Sequence, residues 1–504
     1  MLEHFLYALK AVFLWQNILF IIVGTAVGMV FGALPGLTVT LAVALTLPFT
    51  FSLTPESAIV LLTGVYCAGT YAGSISAILI NTPGTPSSVA TAWDGYPLTL
   101  QGRSFEALNV ALYASVLGGL ISAIALIFFA PILAKTALRF GPPERFALTF
   151  FGLTIISRVS GKSLMKGLVS ALFGLLIATV GIDPIMGVPR FSFNTIFLYG
   201  GVGIIELFTG LFAIAEIFNQ IGKRFKITKI SKDIIKKNIF SWKKIIPYYK
   251  TVLKSSIIGI VIGVIPGTGG SIASFIAYDE AKRSSKNPQS FGKGNLEGIA
   301  ASESANNGVT AATLIPTLTL GIPGNTVAAI FLGALLIHGL TPGPQLFIDQ
   351  GGLMYTIMIS FVVANIVMYF QGRLAIKWFD KIINIPPSIL LPIILVMCLI
   401  GSYSISNSLN SVIVCLIFGC IGYAMLKYDY PTAPMVIAVI LGGMVEESLR
   451  QSLILSDGNL FIFLRRPISL LFFVLTFLGA FLPIIIKKWF KNSGDKYKKG
   501  GKQL

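Results

Sequence analysis

The chain has 504 residues, of which 55% are hydrophobic and only 12% charged, about half the charged share of a soluble domain. That composition excludes a soluble enzyme or binding module of this size, and a mean hydropathy of +0.83 points to a polytopic membrane protein with room for about 10 to 12 crossings. The net charge of +18 is concentrated beside apolar runs, so it reads as a topology signal rather than a nucleic-acid footprint.

In chain order, apolar runs at about 12–33, 57–80, 108–134, 145–157, 163–182 and 195–221 make up a first membrane region, residues 1–222. Residues 1–34 lack a basic n-region and a small-residue cleavage site, so the first run is expected to be retained. The stretch Lys223 to Lys254 then carries eleven basic residues against Asp233 alone. A second membrane region, 255–486, has runs at about 255–276, 304–320, 325–340, 353–372, 386–401, 408–426, 432–445 and 468–486. The tail 487–504 carries seven Lys against Asp495. Both basic segments are predicted to be cytoplasmic. Several runs are too short to cross alone and are expected to be half-helices or re-entrant segments.

The two regions echo each other. Gly32-Ala33-Leu34-Pro35-Gly36 recurs as Gly263-Val264-Ile265-Pro266-Gly267, an offset of 231. Thr82-Pro83-Gly84-Thr85 is matched by Ile322-Pro323-Gly324-Asn325, an offset of 240, and Gly69 by Gly308, an offset of 239. The expected architecture is all-α, with two pseudo-symmetric repeats in the inverted arrangement familiar from transporters with paired broken helices.

Pro-Gly inside a membrane span interrupts the helical ladder and frees backbone groups that lipid cannot satisfy. Four such breaks lie at 35–36, 83–84, 266–267 and 323–324. Each precedes a resumed apolar run, so its polar residues sit near a helix N-terminus, where orphan N–H groups favour anions. The candidate substrate residues are Pro35, Gly36 and Thr38; Asn81, Thr82, Pro83, Gly84, Thr85 and Ser87; Pro266, Gly267 and Thr268; and Gly321, Pro323, Gly324, Asn325 and Thr326. Neither block offers an Arg or Lys: none occurs between Lys10 and Arg103, nor between Lys293 and Arg373. Ser302-Glu303-Ser304-Ala305-Asn306-Asn307 is an unusually polar insert, and such groups at membrane depth need partners or a function. Asn81, Asn306, Asn307 and Glu303 are the candidate oxygen ligands for a coupling cation. Packing kinks and interhelical hydrogen bonds are the structural alternatives.

Other chemistry is not indicated. Gly267-Thr268-Gly269-Gly270-Ser271 lacks the Lys and the βαβ context of a phosphate loop. There is no H-E-x-x-H and no G-x-S-x-G, and His4 and His338 are the only histidines, so enzymatic activity is not expected. His338 reads as a structural or interfacial residue. Cys67, Cys398, Cys415 and Cys420 form no ligand pair, leave no metal or cofactor site, and are expected to be buried small hydrophobes. Trp93-Asp94-Gly95-Tyr96-Pro97 reads first as an interfacial turn, with an ion or gating role for Asp94 as the lesser alternative.

Taken together, Tyr66, Tyr71-Ala72-Gly73-Ser74, Asn81 to Ser88, Asp94-Gly95-Tyr96-Pro97, Pro266-Gly267, Phe291-Gly292-Lys293-Gly294, Glu303 to Asn307, Leu320 to Gly324 and His338 to Pro344 resemble the large (TctA-type) membrane subunit of the tripartite tricarboxylate transporter family. The chain departs from that pattern at Ser302, where the family often has Pro, and at Ala72, where it often has Gly. The resemblance implies ion-coupled secondary uptake of small carboxylates across a bacterial cytoplasmic (inner) membrane, driven by Na⁺ or H⁺. It implies an extracytoplasmic solute-binding protein and a small four-helix membrane subunit as partners, and a homodimer by analogy with elevator-type transporters. A passive anion channel and a non-transporting scaffold are the competing readings.

Overall fold

A computed structural model of the protein describes residues 2–159, 163–221, 245–376, 379 and 386–479. Most of the basic stretch 223–254 and all of the basic tail 487–504 lie outside the described residues. The protein is an all-helical polytopic membrane protein. Its main helices are α1 (Leu2–Val12), α2 (Trp15–Ala33), α3 (Val39–Thr50), α4 (Pro55–Ile80), α5 (Val89–Leu100), α6 (Ser104–Ala137), α7 (Pro142–Val159) and α8 (Leu164–Ala178), then α9 (Ile204–Ile221). After the basic stretch come α10 (Tyr249–Val264), α11 (Gly269–Ser284), α12 (Leu296–Ala312), α13 (Leu314–Leu320), α14 (Thr326–Ile337), α15 (Gly351–Ala375), α16 (Pro387–Ser406), α17 (Leu409–Lys427) and α18 (Thr432–Leu455), and α19 (Pro467–Gly479). Among the described residues, eight helices are long and apolar enough to cross a membrane, and four shorter apolar ones accompany them.

The helices group into two compact units: Met1–Leu138 with Val202–Tyr428, and Arg139–Gly201 with Asp429–Leu504. In the first, α4 and α12 are central. Ser57 to Leu79 is an unbroken run of buried residues, and so is Gly298 to Ala312; burial all round means each helix is jacketed by other helices. Local chemistry sets their ends. Thr54 accepts the Ser57 N–H at 3.3 Å and Pro55 occupies the first helical position, where its missing N–H costs nothing. Asn81 ends α4 in the left-handed region at φ 53°, and Gly321 ends α13 likewise at φ 71°.

Glycine stripes let one neighbour press against each central helix. A Cβ on Gly24, Gly28 or Gly32 of α2 would lie 2.3–2.4 Å from the carbonyl oxygens of Leu61, Val65 and Gly69. Along α10, a Cβ on Gly259 would lie 2.4 Å from Ala305 O, and one on Gly263 would lie 3.1 Å from Val309 O. Gly28–Val65 and Gly259–Ala305 are thus the same contact at offsets of 231 and 240, and Gly32–Gly69 and Gly263–Val309 are a second such pair. Gly69 therefore corresponds to Val309, one residue beyond Gly308, the counterpart expected from sequence. Both contact series ascend together, so α2 runs parallel to α4, and α10 to α12. By contrast, Tyr66 meets Thr313 and Thr70 meets Asn306, so α4 and α12 are antiparallel. The two helix pairs are inverted relative to each other.

The apolar run 255–276, expected as one candidate span with a break at Pro266-Gly267, is two helices. Lys254 near the start of α10 pairs with Glu280 near the end of α11, so α11 doubles back as a re-entrant hairpin. Hydropathy alone continues through Pro266-Gly267 and cannot register the reversal. Earlier in the chain, α9 contains a wide π turn, Thr209–Ile214. Cys67, Cys398 and Cys415 are buried as expected, but Cys420 is exposed. It lies on α17, whose apolar outer face includes Ile413 and Ile417; an apolar residue on such a helix can face lipid instead of protein.

The second unit comprises α7, α8, α18, α19 and the loop between α8 and α9. That loop contains a two-residue antiparallel ribbon pairing Gly181 with Arg190 and Ile182 with Pro189. It is tied to α18 by charge. Arg190 makes a two-pronged contact with Glu446 at 2.7 and 3.1 Å, and Arg450 reaches Asp183 at 2.8 Å. The N–H groups of Met186 and Ile185, with Arg450, hold the Asp183 carboxyl well below the usual carboxylate range.

Candidate functional site

Each break leaves backbone groups to be satisfied, and the structure shows how. After α2, Gly36 turns at φ 84°, and Gly267 after α10 does the same at φ 83°, a conformation that favours glycine. The freed Gly36 carbonyl accepts a hydrogen bond from Gln220 Nε2 at 2.6 Å. Thr38 Oγ1 accepts the Leu41 N–H at 3.2 Å, and Asn325 Oδ1 accepts the Ala328 N–H at 2.8 Å. Both residues therefore cap their own helices. Asn325 Nδ2 donates to the Tyr66 hydroxyl at 2.8 Å. Thr268 Oγ1 donates to Ile262 O at 2.5 Å, while Thr85 Oγ1 shares hydrogen bonds with Ser87 at 3.0 Å and Ser88 at 2.8 Å.

Contacts chain all four breaks together. The Gly84 N–H donates to Gly73 O at 3.1 Å, and a Cβ on Gly84 would lie 2.3 Å from Gly32 O, so the first two breaks meet backbone to backbone. The Gly267 N–H donates to Gly324 O at 2.7 Å, which joins the last two. Between them, a Cβ on Gly270 would lie 2.6 Å from Asn306 Oδ1 and 3.3 Å from Ser87 Cβ. Gly84 and Gly321 to Gly324 are buried; Pro35, Pro83, Pro266, Gly267, Thr268, Asn325 and Thr326 are half-buried; Gly36, Asn81 and Thr82 are exposed. Among the described residues, no hydrogen bond or ion pair from Lys or Arg reaches any of them. Gly84 is a packing glycine rather than an open stretch of backbone.

Beside this centre lies a second polar group. Glu303 is fully buried, although the polar segment that precedes it, Asp279 to Glu297, leaves its depth open in the sequence. Thr91 donates to its Oε1 at 2.5 Å and Ser115 to its Oε2 at 2.9 Å, and Thr91 also meets Ser302 at 2.9 Å. One turn on, Asn307 Nδ2 contacts Glu303 O at 3.4 Å. The oxygens Asn307 Oδ1, Asn365 Oδ1 and Tyr71 Oη are buried without a hydrogen-bond partner among the described residues. Among the described residues the site offers oxygen atoms and no nitrogen cation, which suits a hard monovalent cation. Glu303, Asn306 and Asn307 share this helix. Asn81 caps α4 and is exposed, and no described contact joins it to them.

Several residues escaped the sequence reading. Gln220 was detectable as a polar residue ending an apolar run beside Glu216 and Asn219. Thr91 and Ser115 carry no such signal, since isolated hydroxyls are common in membrane helices. Asp94 is not in an interfacial turn: it lies inside α5 and is fully buried. Its Oδ1 accepts the N–H groups of Gly292, Gly294 and Asn295 at 2.8, 2.9 and 2.8 Å, and its Oδ2 accepts the Tyr278 hydroxyl at 2.7 Å. Trp93-Asp94-Gly95-Tyr96-Pro97 has a turn-like composition, but four donors from distant chain override that local preference.

Comparison with known proteins is consistent with this geometry. Residues 18–437 match the family model described as the tripartite tricarboxylate transporter TctA family. The chain is 36% identical over 457 residues to an uncharacterized 52.8 kDa protein in the TAR-I ttuC' 3'region of Agrobacterium vitis, covering 90% of each chain. It is 37% identical over 211 residues to an uncharacterized protein in the TAR-II ttuC' 3'region of the same organism, covering 42% of this chain and 87% of that one. No solved structure matches. A match across most of the chain, over a helical membrane core with paired broken helices, is decisive: this chain belongs to the TctA family of tripartite tricarboxylate transporters.

Proposed function

We propose that this chain is the permease subunit of a secondary active transporter that imports small carboxylates, tricarboxylates or their relatives, on an Na⁺ or H⁺ gradient. The observation that carries this reading is the meeting of four broken helices, two from each inverted half, at a centre free of Lys and Arg. A carboxylate there would be held by first-turn N–H groups of α3, α5, α11 and α14 and by hydroxyls such as Thr85 and Ser87. Each neutral contact is worth on the order of 1 kcal/mol, so affinity inside the permease is modest. That fits a system in which an extracytoplasmic solute-binding protein captures scarce substrate and a small four-helix membrane subunit completes the complex. Glu303, Asn306 and Asn307 are the proposed coupling-ion ligands. A homodimer is the proposed assembly.

Orientation follows from charge. Lys250 and Lys254 at the start of α10, Lys282 and Arg283 at the end of α11, and Lys286 and Lys293 in the loop entering α12 gather together, so this face is proposed to be cytoplasmic. Thiol labelling of Trp242→Cys or Ser493→Cys from outside intact cells is expected to fail. The functional test is uptake into proteoliposomes containing all three components. Accumulation above the external concentration, only with an imposed ion gradient, is the expected result. Equilibration without a gradient would instead mean a passive channel, and no flux at all a scaffold.

A further inference from the structure

Asp94 is a buried carboxylate that the proposed transport chemistry does not use. Its surroundings are a complete anion seat: three main-chain N–H groups on one oxygen and a tyrosine hydroxyl on the other, all at 2.7–2.9 Å. Gly292 and Gly294 have φ 81° and 109°, and this alternation aims successive N–H groups at one point. Aromatic rings close the seat off. Trp93 stands edge-on to Tyr278 at 5.0 Å, and Tyr278 to Phe291 at 5.4 Å. No Lys or Arg takes part among the described hydrogen bonds, so the acid's charge is balanced by oriented dipoles.

The seat joins the two halves of the chain. Asp94 lies on α5, whereas its donors are the loop entering α12 and Tyr278 on α11. Helices α5 and α12 are antiparallel, as Gln101 reaches Lys293 O and Thr91 reaches Ser302 and Glu303. Thr91 is one turn from Asp94 on α5. Glu303 lies about 12 Å along α12 from the Asn295 end of the seat, at 1.5 Å per residue. A fixed end on a rigid helix fixes every later residue. We propose that Asp94 is a positioning residue: it sets the register of α12 against α5, so that Thr91 and Ser302 meet at Glu303. Its relevance to transport rests on the reading of Glu303 as a coupling-ion ligand. Gly298 belongs to the same device, since a Cβ there would lie 2.3 Å from Asp94 Oδ2 and would push the acid from its seat.

The test is disulfide cross-linking of the full chain in membranes, in a Cys420→Ser background. Thr91→Cys with Ser302→Cys reports the native register, and Thr91→Cys with Asn306→Cys reports a one-turn slip. The native pair is expected to cross-link readily, because its hydroxyls are 2.9 Å apart. Asp94→Ala is expected to reduce that yield roughly fivefold and raise the slipped pair, since disulfides form only within narrow Cα separations. Asp94→Asn keeps an acceptor for the three N–H groups and should retain most of the native yield. Gly298→Ala should reproduce Asp94→Ala, and the two together should be no worse than either alone. A purely structural role would lower both cross-links and the amount of folded protein together, without rescue by Asn. That result, or a native cross-link unchanged by Asp94→Ala, would overturn the proposal. If the cross-links behave as stated while Glu303→Gln transports normally, Asp94 still positions α12 and it is the cation reading of Glu303 that fails.

Discussion

The two central helices occupy matching places in their halves and carry different chemistry. At the offset of 240 that relates them, Glu303 of α12 corresponds to Thr63 of α4. Thr63 accepts from Ser360 of α15 at 3.2 Å, just as Glu303 accepts from Ser115 of α6 at 2.9 Å. The seat is built twice from a serine on a flanking helix, but only one copy holds an acid. Likewise Asn307 corresponds to Cys67, whose sulfur receives Asn365 Nδ2 at 3.7 Å. Duplication has kept the helix packing, where backbone touches backbone, and released the side chains that face the polar centre. An ion site needs to exist only once; a packing contact is needed in both halves.

The sharpest way to break this comparison is through the shared packing. Gly28→Leu and Gly259→Leu each force a side chain into a carbonyl 2.4 Å away. Each is expected to destabilise by about 3 kcal/mol or more, beyond ordinary overpacking, with similar losses of folded protein after detergent extraction. If one is tolerated and the other is not, the contacts are not equivalent.

Side chains should give the opposite pattern. Glu303→Gln, which keeps shape and one acceptor oxygen but removes the carboxylate, is expected to cut ion-driven uptake at least tenfold, equivalent to about 1.4 kcal/mol. Thr63→Val is expected to change it by no more than a few-fold, because it removes only neutral hydrogen bonds, the one from Ser360 and the one to Ile59 O. Equal effects in uptake assays would mean that the two seats do the same work.

These contrasts also mark what was legible in the sequence. The membrane class and the four breaks were, because hydropathy and Pro-Gly punctuation are local. The repeat was also visible, since Gly32/Gly263 and Pro83/Pro323 recur in the same order at similar offsets of 231 and 240. The doubling-back of α11 was not legible, as an apolar run reads the same whether the chain crosses or returns. The depth of Glu303 and the seat of Asp94 depend on partners roughly 190 to 210 positions away, which no window on the chain can sample.

A smaller effect is expected at Tyr66, the counterpart of Asn306 at the same offset. Tyr66→Phe removes the hydroxyl that receives Asn325 Nδ2 and should cost about 1 kcal/mol, seen as a few-fold fall in uptake with normal folding. The smallest concerns the second unit, where charge is paired outside the apolar centre. With its pKa depressed, Asp183 contributes stability that is fully present above its unfolded value of about 3.9 and is lost as pH falls through the lower folded value. Asp183→Asn should therefore lower the melting temperature slightly at neutral pH, and the difference from the native chain should vanish only in strong acid. A difference that instead closed between about pH 6 and 8 would implicate another group.

The π turn at Thr209–Ile214 gives α9 one residue more than an α-helical path would need. Every side chain beyond it is rotated by about 100° from its α-helical bearing, and Gln220, six residues on, reaches the Gly36 carbonyl from that rotated position. A single-residue deletion within the turn would restore the regular helix and leave Gln220 on the same face, whereas relaxing the turn to α-helix at unchanged length would swing Gln220 away from Gly36. Among relatives, a one-residue gap here would therefore be silent at the Gln220–Gly36 contact, a change in the length of the chain that the rest of the helix does not register.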